Sequence, residues 1–345
     1  MFTPAVLLSK ADQMASREEQ LKSAQSALQS GQFDAGLSAA RAALADDPTD
    51  GEALYMAAVA ARYLKRIDEA ADHLTALHAA MPEYGRAWQE QGHLSLAQGD
   101  HENALGAFIR ATRFNPALEA SWREQARLQT AMGRPSEAAA ATAQQQRLAK
   151  MPRELIAVTN HLAEGRLVRA EEICRHFLRQ NPRNVEGMRL LAKIGIELGI
   201  LDDAEFLLES AVSFAPDDIQ LRFDYIDALR RRQKSAEARK QAEKLYERDP
   251  QNALFQSRLA IECIQTGDFD RGLELFDSVL EKLPGDPASL TSRGHALKTK
   301  GDRAEAEASY RAAIASKPGH GDAYYALANL KTYRFGADES VSYTH

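Results

Sequence analysis

The chain has little cysteine, little net charge and no long apolar run. Its two cysteines, Cys174 and Cys263, stand on apolar helical stripes, and because free cysteine is commonly buried we expect two reduced core thiols. The net charge of −6 makes a general affinity for nucleic acid or acidic membranes unexpected. No stretch is long and apolar enough for a membrane span, and the start, MFTPAVLLSK, lacks the charged region and cleavage site of a signal peptide. We therefore expect a soluble, cytoplasmic protein.

Apolar material is plentiful by contrast. Hydrophobic residues make up 44% of the chain and charged residues 27%, which is enough to bury a core and too little charge for disorder. A length of 345 residues fits two globular domains or one long repeat array. The spacing of glycine and proline favours the array.

The stretch from Gly85 to Leu118 shows the repeating unit most clearly. Apolar residues recur at three- and four-residue steps on either side of Gly99, which is the period of two amphipathic helices. Gly99 ends the first helix because glycine takes a positive φ without steric cost. Pro116 ends the second, since proline lacks the N–H group and disfavours helix in the residue before it. The unit is a helix–turn–helix of 34 residues.

The marks of this unit return along the chain at steps of 34 residues. A glycine or alanine fills the twentieth place of all nine units, as expected where two helices of a hairpin cross closely. Lys65 and Gln233 fill turn places that are glycine in the other units. The closing prolines are Pro48, Pro82, Pro116, Pro182, Pro216, Pro250, Pro284 and Pro318, and the twentieth-place residues are Gly36, Ala70, Ala104, Ala138, Ala170, Ala204, Ala238, Gly272 and Ala306.

The period breaks once, between Gly133 and Gly165, which are 32 residues apart rather than 34. We place the deletion in the second helix of unit four or in the loop after it, with the restart at Lys150, Met151 and Pro152. A hinge that divides the array is one explanation. A tolerated loop deletion is the other, and we favour it.

The predicted organisation is a lead-in over residues 1–16, nine units over 17–320, a capping helix over 321–333 and a tail over 334–345. A capping helix covers the last apolar face, as terminal repeats require. One hairpin cannot bury its own apolar face, so stability comes from stacking. The expected fold class is all-α, a right-handed α-solenoid of stacked helix hairpins. The units are 17–50, 51–84, 85–118, 119–150, 151–184, 185–218, 219–252, 253–286 and 287–320.

The order of Trp, Gly, Ala, Phe, Ala and Pro at fixed places resembles the tetratricopeptide repeat (TPR), over residues 17 to about 333. The resemblance implies a non-catalytic protein–protein interaction scaffold that binds a peptide or protein segment in a concave groove. The pattern departs at Glu154, Arg222 and Gln256, where the large fourth-place residue is polar. We expect weaker units there.

The segment from Pro318 to Phe335, PGHGDAYYALANLKTYRF, carries a second resemblance. It is similar to the junction that leads from the last repeat into the catalytic domain of bacterial TPR sulfotransferases. The phosphosulfate-binding loop of that family, a Pro-Arg-Ser-Gly-Thr-Thr-like strand-to-helix turn, is absent from this sequence. The alternative function is therefore the recognition arm of a TPR sulfotransferase whose catalytic domain is absent from this chain.

The sequence shows no motif for a catalytic, cofactor or metal site. No two histidines stand four residues apart on one helix, and Cys174 and His176 lie on different helix faces. The turn from Pro318 to Gly321 follows a helix and lacks a third glycine, so an inter-repeat turn explains it better than a phosphate loop. We expect no enzyme activity, no cofactor and no bound metal.

A binding groove is the better candidate for a site. In the TPR family the first helix of each hairpin lines the groove through its second, fifth, sixth, ninth, twelfth and thirteenth places. A run of cations there favours an acidic segment, because arginine gives carboxylates paired hydrogen bonds. Glu90 and Glu124 leave a charge-balanced groove as the alternative, and the ninth-place residues lack the lysine and asparagine pattern of a chaperone-tail clamp. The predicted partner-binding groove residues are Arg86, His93, Arg123, Arg127, Arg189, Lys193, Tyr55 and Tyr63.

Other side chains have a structural explanation beside a functional one. Phe223, Tyr325 and Tyr333 also fall on inner places, and for Phe223 we favour packing between hairpins. The basic run from Arg230 to Lys240 spans the turn of unit seven. A solvated turn is the favoured explanation, and an anionic partner is the other.

Overall fold

The computed structural model describes residues 10–330, with side chains from residue 17. In this part of the chain there are nineteen α-helices and no strand. Consecutive helices form hairpins whose apolar faces are covered by the hairpins before and after them in the chain. The prediction of an all-α solenoid is confirmed, and its hand stays a prediction.

The chain divides into two compact units, residues 1–179 and residues 180–345. The break in the period near Lys150 lies inside the first of them. The helices of the first unit are α1 (Lys10–Gln29), α2 (Phe33–Asp46), α3 (Gly51–Tyr63), α4 (Ile67–Ala80), α5 (Gly85–Ala97), α6 (His101–Phe114), α7 (Glu119–Ala131), α8 (Pro135–Ala149), α9 (Arg153–Ala163) and α10 (Leu167–Gln180). Those of the second are α11 (Val185–Glu197), α12 (Leu201–Phe214), α13 (Ile219–Arg231), α14 (Ser235–Arg248), α15 (Ala253–Gln265), α16 (Phe269–Lys282), α17 (Pro287–Lys300), α18 (Arg303–Ser316) and α19 (Gly321–Ala328).

The helix ends show where the predicted boundaries fall. The first helices of units two, three and four begin at residues 51, 85 and 119. Helix α1 begins at Lys10, inside the predicted lead-in, and the capping segment is helical from Gly321 to Ala328. The end of that segment and the tail lie outside the described residues. The division into nine units stays a prediction.

The two-residue deletion is absorbed mainly by the first helix of unit five. Helix α8 has 15 residues, whereas the second helix of unit three, α6, has 14. Helix α9 has 11 residues, against 13 for α7. The expectation of a shortened second helix in unit four was therefore wrong, since the chain leaves that helix late and starts the next one late.

Each hairpin closes through a turn with a left-handed residue and a close helix crossing. Gly99 has a φ of 79°, and Lys65 and Gln233 adopt the same conformation at 59° and 58° without being glycine. All nine twentieth-place residues are buried. At the eighth place of unit three, a Cβ on Gly92 would lie 2.6 Å from a ring carbon of Phe108. The aromatic ring of α6 thus rests directly on the backbone of α5.

The fourth-place side chain holds each unit to the proline six residues before it. In units three and four the indole N–H of tryptophan donates to that carbonyl. Arg222 and Gln256 donate the same hydrogen bond, so the expectation that they weaken their units does not follow, because the bond is kept. The distances are 2.8 Å from Trp88 Nε1 to Pro82, 2.9 Å from Trp122 Nε1 to Pro116, 2.7 Å from Arg222 Nη2 to Pro216 and 2.9 Å from Gln256 Nε2 to Pro250.

The close crossing predicts the effect of a larger side chain. Ala104 is fully buried, so Ala104→Leu is expected to lower the free energy of unfolding by about 1–3 kcal/mol through overpacking. Chemical denaturation measures the change. Gly106 on the same helix is the matched control, because a Cβ there meets no atom within 4 Å. Gly106→Ala is expected to stabilise by up to about 1 kcal/mol, and equal effects from the two substitutions would contradict the crossing.

Candidate functional site

A groove of about 780 Å³ lies in the first compact unit, between α1, α3 and α5. Its walls consist of inner-place side chains of units one, two and three. The turn between α9 and α10 forms a further wall. We call it the N-terminal groove. It is lined by Glu18, Leu21, Lys22, Gln25, Leu28 and Gln29 of α1, by Glu52, Tyr55, Met56, Val59 and Tyr63 of α3, by Arg86 and Glu90 of α5, and by Phe33, Tyr84, Glu164 and Arg166.

Four aromatic rings give the N-terminal groove its apolar surface. Tyr55 meets Tyr84 edge to face, with ring centroids 5.6 Å apart. Tyr63 stacks on Phe33 at 4.3 Å and is 53% exposed. Such rings offer contact area at a low cost in conformational entropy. The exposed Tyr63 ring is the surface most available to a bound segment.

Burial sets the ionisation of the tyrosines deeper in the groove. It raises the pKa of Tyr55 to about 12, with the nearby Glu90 carboxylate acting in the same direction. Burial likewise raises the pKa of Tyr84 to about 12. Both phenols are therefore neutral near pH 7 and offer hydroxyl groups for hydrogen bonds.

Ion pairs cross the N-terminal groove. Arg62 Nε donates to Glu90 Oε2 at 2.7 Å. Arg86 Nε lies 2.7 Å from Glu164 Oε1, but the N–H does not point at the oxygen, so this contact is an ion pair without a hydrogen bond. Arg166 pairs with Glu164 and lies 3.9 Å from Glu52. The groove is polar at one end and aromatic at the other.

Three of the eight predicted groove residues, Tyr55, Tyr63 and Arg86, meet in this groove. His93 instead packs edge to face on Phe108 at 5.1 Å, and burial lowers its pKa, so it is neutral near pH 7.

Arg123 and Arg127, two further predicted groove residues, are exposed on α7. Both lie beside Glu124, at 3.8 Å and 2.8 Å. One carboxylate thus compensates two guanidinium groups, and these arginines present less positive charge than their number suggests.

Arg189 and Lys193 belong to the second compact unit. Arg189 lies 3.3 Å from Glu186 and 3.6 Å from Asp224, and Lys193 is exposed. The predicted cationic residues are thus divided between two compact units and largely accompanied by carboxylates.

Sequence reasoning missed Glu164 and Arg166, which follow the inner places of unit five. The signal was the shortened spacing between Gly133 and Gly165, because the shorter α9 ends beside the N-terminal groove. Asn115 Nδ2 donates to Asn160 Oδ1 at 2.8 Å and ties α9 to the end of α6.

The basic run of the second unit is compensated by carboxylates. Arg232 pairs with Asp202 and lies 3.5 Å from Glu205, which also accepts from Lys234 at 2.6 Å. Phe223 is buried and packs on Phe255 with centroids 6.2 Å apart.

The exposed ends of the array give less information. Tyr325 is exposed, and Tyr333 lies outside the described residues.

Glu262 of α15 is a fully buried carboxylate whose two oxygens make no hydrogen bond within the described residues. Arg230 Nε lies 3.6 Å away. Burial raises the pKa of Glu262 to about 7, although Arg230 and Arg258 oppose the shift. The folded chain therefore favours the protonated acid at pH values where the unfolded chain has lost that proton.

This difference predicts a pH-dependent stability. Folding raises the pKa of Glu262, so its contribution is fully present below its ordinary pKa near 4.5 and is lost as the pH rises through 7. Glu262→Gln is expected to leave the free energy of unfolding unchanged near pH 4.5 and to raise it by about 1–3 kcal/mol at pH 8. Urea titrations at both pH values measure the difference. Glu237→Gln, at an exposed position of α14, is the control, and a pH-independent gain for Glu262→Gln would contradict the burial argument.

Other kinds of site were sought in residues 10–330. There, no group of three or more His, Cys, Asp or Glu side chains is arranged to hold a metal ion. None of the helices in this range combines the length and the apolar character needed to cross a bilayer. The cytoplasmic location stays a prediction.

Two family models, both described as tetratricopeptide repeat, match this chain. One matches residues 161–223. The other matches residues 21–84, 55–119, 224–287 and 291–330. Together they extend over more than half of the sequence. Neither model concerns sulfotransferases, and the second resemblance gains no support from them.

Solved structures give further, more distant likenesses. MamA is 20% identical over 47% of this chain and 94% of its own, with a TM-score of 0.42. MamA from Desulfovibrio magneticus RS-1 is 14% identical over 49% and 98%, at 0.43. YrrB, described as a TPR protein with an unusual peptide-binding site, is 16% identical over 64% and 97%, at 0.41. The comparison with curated proteins gives no match.

Proposed function

The chain belongs to the tetratricopeptide repeat family, and from that premise we propose that it is a non-catalytic scaffold that binds a peptide or protein segment. The N-terminal groove is the binding surface. Tyr55, Tyr63 and Arg86 contact the segment, and the exposed cations Arg123, Arg127, Arg189 and Lys193 attract an acidic partner from longer range.

The observation that carries this proposal is the match between the groove lining and the inner places of the hairpins. All six inner places of α1 and five of the six in α3 line the same space. A volume of about 780 Å³ lies within the range of ligand sites. Because its walls come from three consecutive hairpins, the space is elongated along the array, as a chain segment requires.

A binding experiment tests the proposal. A phage-displayed library of random peptides is selected on the wild-type chain, and the recovered peptides are titrated by fluorescence anisotropy. Tyr63→Ala is expected to weaken their binding by about tenfold or more, because truncating an interface aromatic typically costs over 1 kcal/mol. The helical circular dichroism is expected to stay unchanged, since Tyr63 is half exposed.

Phe206→Ala is the matched control. Phe206 is an exposed aromatic residue of α12 that does not line the N-terminal groove. Its removal is expected to leave the affinity unchanged. Recovery of no peptide, or equal binding by both variants, would refute the groove as the binding surface.

The sulfotransferase alternative has no observation in its favour beyond the short sequence segment. The first part of that segment is the α18–α19 turn and helix α19. A turn and a helix of this kind are what an ordinary terminal repeat requires. We therefore retain the scaffold alone.

A further inference from the structure

We propose that Arg86 is a receptor for a carboxylate of the bound segment, and that Glu164 of the same chain occupies it until the partner's acidic side chain takes its place. The inference rests on the proposed function and adds the chemistry of the partner. Its basis is the contact between the α9–α10 turn and the N-terminal groove.

The α9–α10 turn reaches a part of the array that is not its neighbour in sequence. Glu164 and Arg166 belong to unit five, whereas Arg86 and Glu52 belong to units three and two. In a regular array each repeat contacts only the repeats beside it. The turn therefore lies where a bound segment would lie, and Glu164, whose side chain is 5% exposed, is inserted into the groove.

Charge balance restricts what can replace Glu164. Glu90, the other carboxylate that α5 contributes to the groove, already accepts a hydrogen bond from Arg62. Removing Glu164 without a substitute breaks the ion pair of a partly buried guanidinium group, which is costly. Exchange for another carboxylate restores the pair, whereas a neutral or basic side chain does not.

The resident pair is also imperfect. Arg86 Nε and Glu164 Oε1 are both buried, and neither makes a hydrogen bond. Buried polar atoms without hydrogen bonds are unfavourable. A carboxylate on a separate segment is free of the turn's backbone and can align with the guanidinium fork. The exchange therefore gains hydrogen bonds that the resident contact lacks.

The helix geometry sets the spacing of the partner's contacts. Tyr55 lies beside Arg86, and their interaction is one of the influences on the pKa of Tyr55. Tyr63 follows two turns later on α3, about 12 Å along the axis at 1.5 Å per residue. An extended segment covers that distance in about three or four residues. The partner presents an acidic residue and a bulky apolar residue at this separation.

Peptide selection on two variants of the full chain tests the exchange. The probe is the same library of random peptides, selected in parallel on wild type and on Glu164→Gln. Peptides from Glu164→Gln are expected to be enriched in Asp or Glu with a bulky apolar residue three or four positions away. They are expected to bind Glu164→Gln about tenfold more tightly than wild type, and Arg86→Gln about tenfold more weakly.

Two further variants separate charge from structure. Glu83→Gln, at an exposed position before α5, is the control and is expected to bind as wild type does. Arg86→Lys keeps the charge but loses the planar fork, so its affinity is expected to fall between wild type and Arg86→Gln. It also serves if Arg86→Gln fails to fold.

The outcomes distinguish this inference from the proposed function. If Tyr63→Ala abolishes binding but the Glu164 and Arg86 variants bind as wild type, the exchange is overturned and the groove stands. If neither Tyr63 nor Arg86 matters, or no peptide is recovered, both are overturned.

Discussion

Every hairpin depends on a close crossing of its two helices, at which a glycine or alanine of the second helix faces the first. At α5 and α6 the ring of Phe108 lies against Gly92, and Ala104 is fully buried nearby. The crossing fixes the rotation of the first helix about its own axis. It therefore decides which side chains face inwards, and the polar and aromatic walls of the N-terminal groove follow from it.

Much of the fold could be predicted because one period governs local and tertiary structure together. A left-handed turn, a small crossing residue and a closing proline recur in step, and each has its own steric cause. Lys65 and Gln233 show that the turn geometry persists even where glycine is absent. The fourth-place residues were misjudged, because size was taken as their role when hydrogen-bond donation to the proline carbonyl is what the structure retains.

The candidate site could be predicted only in part. Tyr55, Tyr63 and Arg86 follow from their places on regular helices, since helix geometry alone turns those places to one side. Glu164 does not, because its approach to Arg86 depends on how the chain continues after α8, where α9 is two residues shorter than α7. The compensation of Arg123 and Arg127 by Glu124 likewise depends on side-chain conformations that a charge count ignores.

The hydrogen bond from the fourth place to the preceding proline bears on how such repeats vary. Tryptophan, arginine and glutamine differ in volume, charge and hydropathy, yet each carries an N–H at the end of a side chain long enough to reach the same carbonyl. A substitution table that groups amino acids by polarity scores these exchanges as severe, whereas the backbone receives an equivalent proton from each. Repeats that look degenerate by their letters can thus be intact in their bonding.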